Sequence, residues 1–451
     1  MNFNASGVNP ANNNNRFNGF SVRAVQHLPY YMRKKMNLKT YTLTRQQLLF
    51  DLYIAYQDAA RRKHKMSYVQ KFNKNLKHNL EELCDDMITR KYKAQPSTCF
   101  VVKYPKKREV FAAQFRDRIV HHLYYNYTHQ IFERTFIADT YSCIKGRGTH
   151  YGIARITQHI RQESQNWTKP CYAMNLDIRG YFMHINRERL LKIATATLTN
   201  MRTHCVGFTD DVSIPSGVIL TPETTWMEVR DFSFIIWLTQ QIVMLNPMEN
   251  CVIIGDESEW DGVDKAKCMR YALPGVGLPI GNLTSQLFSN VYLNTFDQFI
   301  KREIKCRHYG RYVDDSVIID SSRDWMIQQV PKIRDFLSNT LGLELHMGKL
   351  RVRNVMQGVE FLGAFIKPYR NYISNHSLHR MQSKIRINNA PSANSINSYL
   401  GAMSHYSSYN IRKSIIATIT KTLTFNPELT KVNLQQHNGR NITETNKKLT
   451  I

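Results

Sequence analysis

The chain has 451 residues, 42% hydrophobic and 21% charged, which is enough for more than one hydrophobic core and excludes a disordered or membrane-like composition. Its 61 Lys and Arg against 35 Asp and Glu give a formal net charge of +26. An excess of this size attracts polyanions, of which nucleic acid is the commonest, although a merely basic soluble protein is the alternative.

The eight cysteines are scattered singly and no two have the C-x2–4-C spacing, which argues against a structural zinc site and a disulfide framework. The N-terminus lacks the apolar stretch of a signal peptide, and the most apolar run, 232–245, is too short to span a bilayer. We therefore expect a reduced, cytoplasmic protein without a membrane partner.

Apolar spacing and turn residues divide the chain into helical and strand-like segments. In the first part of the chain they predict a flexible Asn-rich segment at 1–35, helices between 46 and 87, a strand–turn–strand unit over 101–111 and a helix over 119–132. Next they predict a strand over 173–178 and a helix from about 187. Beyond about residue 280 they predict a helix over 284–303, a hairpin over 310–320, a helix over 324–341, a short hairpin near 361 and basic helices over 376–425. Residues from about 200 to 275 fit neither neighbour and are interpreted as an insertion.

The most specific motif is RYVDDSV at 311–317, where two adjacent carboxylates separate two β-forming runs. This pattern predicts that Asp314 and Asp315 lie at the tip of a hairpin. Adjacent like charges beside an apolar sheet are unfavourable unless a cation compensates them, and Mg²⁺ prefers hard oxygen ligands and also binds substrate phosphates. For this motif alone, an exposed Asp-Asp turn is the alternative.

A second acidic strand end lies upstream, in MNLDIRGYF at 174–182, where Asp177 follows an apolar strand. Ligands collect at such strand ends in open sheets. Three converging carboxylates could hold two metal ions, one activating an attacking hydroxyl and one the leaving pyrophosphate. The pattern therefore predicts in-line nucleotidyl transfer.

These motifs and LPIGNLTSQ at 278–286 occur in the order seen in reverse transcriptases, which the chain resembles from about Leu48 to Thr420. The resemblance is greatest to prokaryotic enzymes of diversity-generating retroelements and related defence-associated groups. It implies an α+β right-hand polymerase with fingers, a palm carrying an antiparallel catalytic sheet, and a helical thumb. The implied boundaries are fingers at 36–170, palm at 171–370 with an insertion at about 200–275, thumb at 371–425 and a polar tail at 426–451.

The resemblance implies RNA-templated DNA synthesis from deoxynucleoside triphosphates with two Mg²⁺ ions. The implied metal ligands are Asp177, Asp314, Asp315 and the backbone of Ile178. In the basic turn KKR at 106–108, Lys106 and Arg108 would bind the triphosphate, because a guanidinium fork binds phosphate oxygens bidentately. A solvated turn is the alternative, above all for Lys107.

Further roles follow from the same resemblance. Phe182 would exclude a 2′-hydroxyl, or is a core phenylalanine. Gly281 would let the backbone approach the nascent base pair, and Gln286 would lie near the start of the helix beneath the template. Lys349 would protonate the leaving pyrophosphate, or is a solvated lysine. Ile280 replaces a glutamine of many reverse transcriptases, and the loss of an orienting hydrogen bond predicts low fidelity.

Two regions carry weaker signals. The predicted thumb mixes cations with aromatic residues, which suits a surface that follows a nucleic-acid backbone: Lys384, Arg386, Tyr399, His405, Tyr406, Tyr409 and Arg412. Core tyrosines are an equal interpretation. The acidic group at 256–261 departs from a calcium loop because Trp260 occupies a ligand position, and it is interpreted as a solvated loop.

No ribonuclease, endonuclease or zinc module is recognisable. The expected partners are template RNA, the cDNA product, an associated noncoding RNA and a small accessory protein or second polymerase subunit. Sequence diversification and antiviral defence both fit this activity. Two alternatives are a template-independent nucleotidyl transferase and a non-catalytic RNA-binding scaffold with a polymerase fold, the latter disfavoured because all three acids are present.

Overall fold

The computed structural model describes residues 43–103, 106–206, 231–387 and 393–423. Side chains are described within these ranges except at 201–206, 384–387, 393, 395 and 417–423. The predicted flexible N-terminus, residues 207–230 of the predicted insertion and the predicted polar tail therefore lie outside the described residues, as do the side chains of Lys384 and Arg386.

Thirteen α-helices and ten strands form within the described ranges. The helices are α1 (Arg45–Ala60), α2 (Ser67–Asn73), α3 (Leu76–Ile88), α4 (Phe115–Thr135), α5 (Thr149–Glu163), α6 (Tyr181–His184), α7 (Arg187–Val206), α8 (Phe232–Val243), α9 (Leu283–Arg302), α10 (Arg323–Phe336), α11 (Asn375–Ile387), α12 (Ala393–Met403) and α13 (Tyr409–Leu423). The strands are β1 (Ser97–Val102), β2 (Arg108–Ala112), β3 (Tyr172–Leu176), β4 (Cys251–Ile253), β5 (His308–Tyr312), β6 (Asp315–Asp320), β7 (Arg351–Asn354), β8 (Val359–Phe361), β9 (Ala364–Lys367) and β10 (Arg370–Ile373).

The strands form three sheets, so the chain has an α+β architecture. The central sheet has the order β5-β6-β3-β7 and is antiparallel throughout. The N-terminal sheet has the order β2-β1-β4, with β1 and β2 antiparallel and β4 added in parallel. The C-terminal sheet has the order β10-β9-β8. The register of the central sheet pairs Leu176 with Ser316, which brings the two acidic motifs to one end of neighbouring strands.

The largest core lies between the N-terminal helices and one face of the central sheet. Helix α1 buries residues such as Leu48, Leu52 and Ala55, whose spacing of three to four residues places them on one face. Helix α8 packs into the same core, and its Thr239 hydroxyl donates to Tyr124 of α4 over 3.0 Å. The described part of the predicted insertion is thus integrated with its surroundings: α8 joins the main core and β4 joins the N-terminal sheet.

Local signals explain where several elements begin and end. The Ser322 hydroxyl accepts from the Trp325 N–H over 3.2 Å and begins α10. The helix predicted over 324–341 forms as α10 followed by a π-helical turn, Leu337–Leu341, which ends at Gly342 with φ of +65°. The predicted helices over 376–425 form as α11, α12 and α13. Among the described residues, no helix combines the length and apolar character needed to cross a membrane.

Candidate active site

The β5–β6 hairpin turns tightly at the acidic motif. Tyr312 pairs with Asp315, so only Val313 and Asp314 form the turn, and Asp315 is the first residue of β6. Val313 has φ of +55°. A β-branched residue in the left-handed region is unfavourable by about 1–2 kcal/mol, so the surrounding structure must hold this turn in place.

Arg311 provides one part of that support. Its side chain is fully buried, and its Nε and Nη2 donate to the two carboxylate oxygens of Asp297 over 2.7 and 2.6 Å. Its Nη1 donates to the carbonyl of Val313 over 2.8 Å and to Asn290 Oδ1 over 3.1 Å. Because a buried charge is stable only when paired and hydrogen-bonded, the bidentate pair with Asp297 fixes the guanidinium that holds the turn carbonyl.

Ser142 supports the other side of the turn. The Val313 N–H donates to the Ser142 hydroxyl over 3.1 Å, and this hydroxyl donates to Asn290 Oδ1 over 3.1 Å. Asn290 Nδ2 returns a hydrogen bond of 2.8 Å to the Ser142 carbonyl. Both backbone polar groups of Val313 are therefore bonded to buried side chains, which explains how a strained turn persists. We call Ser142, Asn290, Asp297 and Arg311 the turn-supporting network.

Asp177 lies one residue beyond β3, beside a short backbone bridge. His346 N–H donates to the Asp177 carbonyl over 2.8 Å, and Arg179 N–H donates to the Glu344 carbonyl over 2.9 Å. Between these bonds, Ile178 and Leu345 form an antiparallel bridge, so the N–H and carbonyl of Ile178 itself point away from Leu345. The carboxylate of Asp177 accepts from Lys349 Nζ over 2.9 Å.

Asp177 and Asp315 open into one cleft of about 740 Å³. Asp314 is not among the residues that line it. Six cationic side chains lie along its wall: Lys106, Arg108, Lys349, Arg351, Arg353 and Arg380. They outnumber its three acids, Asp177, Asp315 and Glu360, so the cleft suits an anionic ligand that is long enough to reach several of them.

The carboxylates of Asp314 and Asp315 lie where a bound cation would stabilise their negative charges. The pKa of Asp315 is raised to about 6, chiefly by desolvation at the strand end and next by the neighbouring charges of Asp314 and Asp177, whereas Lys349 and Lys106 act in the opposite direction. Burial also raises the pKa of Asp314, with a smaller contribution from Asp177. Repulsion between carboxylates at a strand end is relieved by a metal ion.

Of the three carboxylates expected to converge, Asp177 and Asp315 line one cleft. Nowhere in the described ranges do three or more His, Cys, Asp or Glu side chains form a group that could hold a metal ion, and the carboxylate of Asp177 is paired with Lys349. Mg²⁺ is commonly bound through one or two carboxylates together with water and substrate phosphates, without an all-protein cage. The hard oxygens of Asp177 and Asp315 fit such a partial ligand set.

The basic turn before β2 divides its cations between two surfaces. Lys106 and Arg108 line the cleft, whereas Lys107 Nζ donates to the backbone carbonyl of Asp261. The three adjacent cations are therefore not equivalent, and the two that the resemblance implicates are the two that face the acids.

The remaining predicted residues are not among those that line the cleft. Phe182 is half-buried and packs edge-on against Tyr181, with ring centroids 5.4 Å apart. Ile280 is half-buried beneath β2, and its carbonyl accepts from the Phe111 N–H over 2.8 Å. Gly281 has φ of +128°, and a Cβ there would collide with the Phe111 carbonyl. The backbone that Gly281 approaches in this structure is thus that of β2.

Gln286 is exposed on the first turns of α9 and accepts from the Cys143 thiol over 3.6 Å. It does not line the cleft. The helix begins at Leu283, close to the start predicted for it.

Sequence reasoning missed the turn-supporting network, although an Arg within the β5 run and an Asp on an apolar helix face were the signals that could have revealed it.

No protein-family model matches this chain, and no curated protein matches it. Among solved structures it is similar to apo telomerase from Candida tropicalis, with 13% identity, a TM-score of 0.40 and coverage of 72% of this chain and 57% of that one. The same telomerase truncated from its C-terminal domain has 12% identity and a TM-score of 0.39, and the match covers 65% of this chain and 59% of that one. Telomerase from Candida albicans in complex with a fragment of telomeric RNA has 11% identity and a TM-score of 0.38, and the match covers 70% of this chain and 51% of that one. The chain thus spans just over half of these proteins, and likeness at this level fixes neither activity nor substrate.

Proposed function

We propose that this chain is an RNA-directed DNA polymerase, a reverse transcriptase that extends a primer by nucleotidyl transfer in the cleft above the central sheet. One observation carries the proposal: Asp177 and Asp315, at the ends of neighbouring antiparallel strands, open into a cleft lined by six cations. Acids placed for a metal beside cations placed for phosphates are the parts that phosphoryl-group transfer requires.

In this proposal the chain's own residues bind and orient the reactants. Arg108 and Lys106 hold the triphosphate, since both line the cleft together with the acids. Lys349 lines the same cleft and lies 2.9 Å from Asp177, and it is the proton donor for the leaving pyrophosphate in this proposal once that carboxylate has another partner. Phe182 limits the space beneath the sugar, and the turn-supporting network keeps Asp314 and Asp315 in place before substrate arrives.

The implied metal is Mg²⁺, which Asp177 and Asp315 would hold in the cleft together with water and substrate phosphates. Asp314 and the backbone carbonyl of Ile178 complete the ligand set that the sequence resemblance implies. When bound, Mg²⁺ would lower the pKa of the attacking hydroxyl and neutralise charge on the phosphates. The chemistry of the donors, hard oxygens with raised carboxylate pKa values, fits this ion.

The direct test is deoxynucleotide incorporation on a primed RNA by the wild type and by Asp315→Asn. We expect the substitution to reduce incorporation by at least about a thousandfold, because an amide does not neutralise the metal, with unchanged binding of the primed RNA. Asp335→Asn is the matched control, since Asp335 is an exposed acid on α10 that pairs with its neighbour Arg334. Normal extension by Asp315→Asn would overturn the assignment.

The same assay separates the two alternatives. Incorporation that ignores the template sequence would identify a template-independent transferase. Tight RNA binding with no incorporation by the wild type would identify a scaffold.

Within the proposed activity, the sequence resemblance favours a prokaryotic retroelement or defence setting with an associated noncoding RNA. Sequencing nucleic acid that copurifies with the protein, before and after deoxynucleotides are added, identifies the template.

A further inference from the structure

Glu109 is a buried acid that none of the roles above uses. It follows Arg108 on β2 and is only 1% exposed. Its two carboxylate oxygens accept from different donors, Oε1 from Trp260 Nε1 over 2.9 Å and Oε2 from the Met269 N–H over 2.6 Å. The guanidinium of Arg270 lies 3.8 Å from Oε1. Because burying a carboxylate is unfavourable without such partners, these contacts fix the position of β2 relative to one other part of the chain.

All of these partners belong to the segment from Cys251 to Val276, which we call the 251–276 segment. It begins with β4 on the N-terminal sheet and continues through short 3₁₀ turns at Glu257–Trp260 and Met269–Tyr271. Trp260 is buried, so the acidic stretch interpreted from sequence as a solvated loop is anchored by an aromatic residue beneath it.

The 251–276 segment also lies against the residues proposed to select the nucleotide. Trp260, Cys268 and Met269 form one apolar cluster with Met183 and Phe111. The partly buried side chains of Phe182 and Ile280 pack against this same cluster. The segment therefore supports, from behind, both the ring beneath the sugar and the strand that carries Arg108.

Two backbone contacts of the residues that directly follow the segment continue this packing. The Leu278 N–H donates to the Phe182 carbonyl over 2.9 Å, and the Gly277 N–H donates to the Ile185 carbonyl over 2.8 Å. At Gly180, three residues after Asp177, a Cβ would collide with the carbonyl of Ala266. A shift of the segment would thus displace Phe182 relative to Asp177.

We propose that the 251–276 segment is the rear wall of the nucleotide site and that Glu109 is the positioning residue that holds it there. The inference rests on the proposed function and extends it, because it assigns sugar selection to a segment outside the cleft. Phe182 contacts the sugar in this scheme, whereas Glu109 and Trp260 determine how far the ring of Phe182 can be displaced.

The test is Glu109→Gln, which keeps size and shape but replaces one acceptor oxygen by an NH₂ group facing a donor. We expect the preference for deoxynucleotides over ribonucleotides, as a ratio of kcat/KM values, to fall roughly three- to tenfold, the effect of losing one hydrogen bond. Affinity for primed RNA should not change. The matched control is Glu257→Gln, since Glu257 is an exposed acid of the same segment that pairs with the same Arg270.

A second substitution distinguishes positioning from a general loss of stability. Trp260→Phe removes the indole N–H, so that the amide introduced by Glu109→Gln need accept only from the Met269 N–H. The double variant Glu109→Gln/Trp260→Phe should therefore be closer to wild type in sugar preference than Glu109→Gln alone.

Two results would overturn the inference while leaving the proposed function intact. One is an unchanged sugar preference in Glu109→Gln while Phe182→Ala relaxes it. The other is an equal loss of kcat for both sugars with no recovery in the double variant. Failure of the wild type to incorporate any deoxynucleotide would instead overturn the proposed function and this inference with it.

Discussion

The two hairpins that carry the proposed site are built in opposite ways. At the tip of β5–β6, both backbone groups of Val313 are bonded to buried side chains, and an ion pair of Arg311 and Asp297 lies beneath. At the turn between β1 and β2, the cations Lys106 and Arg108 are exposed. There the buried ionic group is Glu109, which lies inside the strand.

This difference follows from what each hairpin would hold in the proposed reaction. Carboxylates that bind a metal must be close together before the metal arrives, and their repulsion has to be opposed by a rigid backbone. Cations that bind a triphosphate attract it from solution and lose little by remaining hydrated until it arrives. Substitutions should therefore affect stability mainly at the first hairpin and substrate binding mainly at the second.

The largest expected effect is that of Arg311→Met. Removing the guanidinium leaves Asp297 as an unpaired buried carboxylate, which should lower the free energy of unfolding by about 3–5 kcal/mol. Denaturant unfolding followed by circular dichroism measures this loss. Arg307→Met, on an exposed arginine four residues earlier, should stay within about 0.5 kcal/mol of wild type. A loss below about 1 kcal/mol for Arg311→Met would mean that the hairpin does not depend on the pair.

At the second hairpin we expect a change in binding with little change in stability. Arg108→Ala should raise the KM for deoxynucleotides about 10- to 100-fold, as expected for lost charge-assisted hydrogen bonds. Lys107→Ala provides the comparison on an adjacent cation, because Lys107 donates to Asp261 outside the cleft. Steady-state kinetics on one primed RNA measures both. Equal effects of the two substitutions would remove the distinction between the two faces of this turn.

Phe182→Ala tests a residue that touches neither hairpin turn. Opening the space beneath the sugar should increase the use of ribonucleotides relative to deoxynucleotides by roughly 10-fold or more. Incorporation of matched ribo- and deoxynucleotides measures the ratio. Phe50→Ala, on an exposed phenylalanine of α1, should leave the ratio unchanged. If Phe182→Ala also leaves it unchanged, Phe182 is a core residue only.

The smallest effect is a pH dependence of stability at the first hairpin. The folded pKa of Asp315, about 6, exceeds its usual value of 3.8, so the folded state holds the proton between about pH 4 and 6 where the unfolded state has lost it. Stability without divalent cations should therefore fall as pH rises through this window. Because the side chain is accessible to solvent, the loss is limited to about 1 kcal/mol, or roughly 1–3 °C in Tm.

Asp315→Asn removes this charge, so it should melt at a higher temperature than wild type at pH 7.5 and at nearly the same temperature at pH 4.5. Thermal unfolding in the presence of a chelator measures both. Asp314 adds to the dependence of the wild type in the same direction, since its pKa is raised as well. A higher Tm for wild type than for Asp315→Asn at pH 7.5 would show that the ionised carboxylate is stabilised in the absence of metal.

The sequence by itself determined the strands that carry the acids and the order of the motifs. The apolar runs on either side of Asp314 and Asp315 specify a hairpin locally, because β-branched residues favour strands and two adjacent charges between them favour a turn. The run before Asp177 specifies a strand end for the same reason. Both faces of β6 are buried, Ile318 in one core and Val317 and Ile319 in another, so the tight turn that pairs Tyr312 with Asp315 sets the register of this hairpin.

Only the tertiary structure decided which polar side chains are buried and paired. Asp297 lies 14 residues from Arg311, and Glu109 lies 151 residues from Trp260. The local sequence does not identify the donors that these acids meet, because the free energy of a buried carboxylate depends on donors that arrive from distant segments. The same holds for Lys107, which is diverted from the cleft by a carbonyl of the 251–276 segment. Periodic burial can be read from neighbouring residues, whereas the partners of a buried charge are set only when the chain has folded.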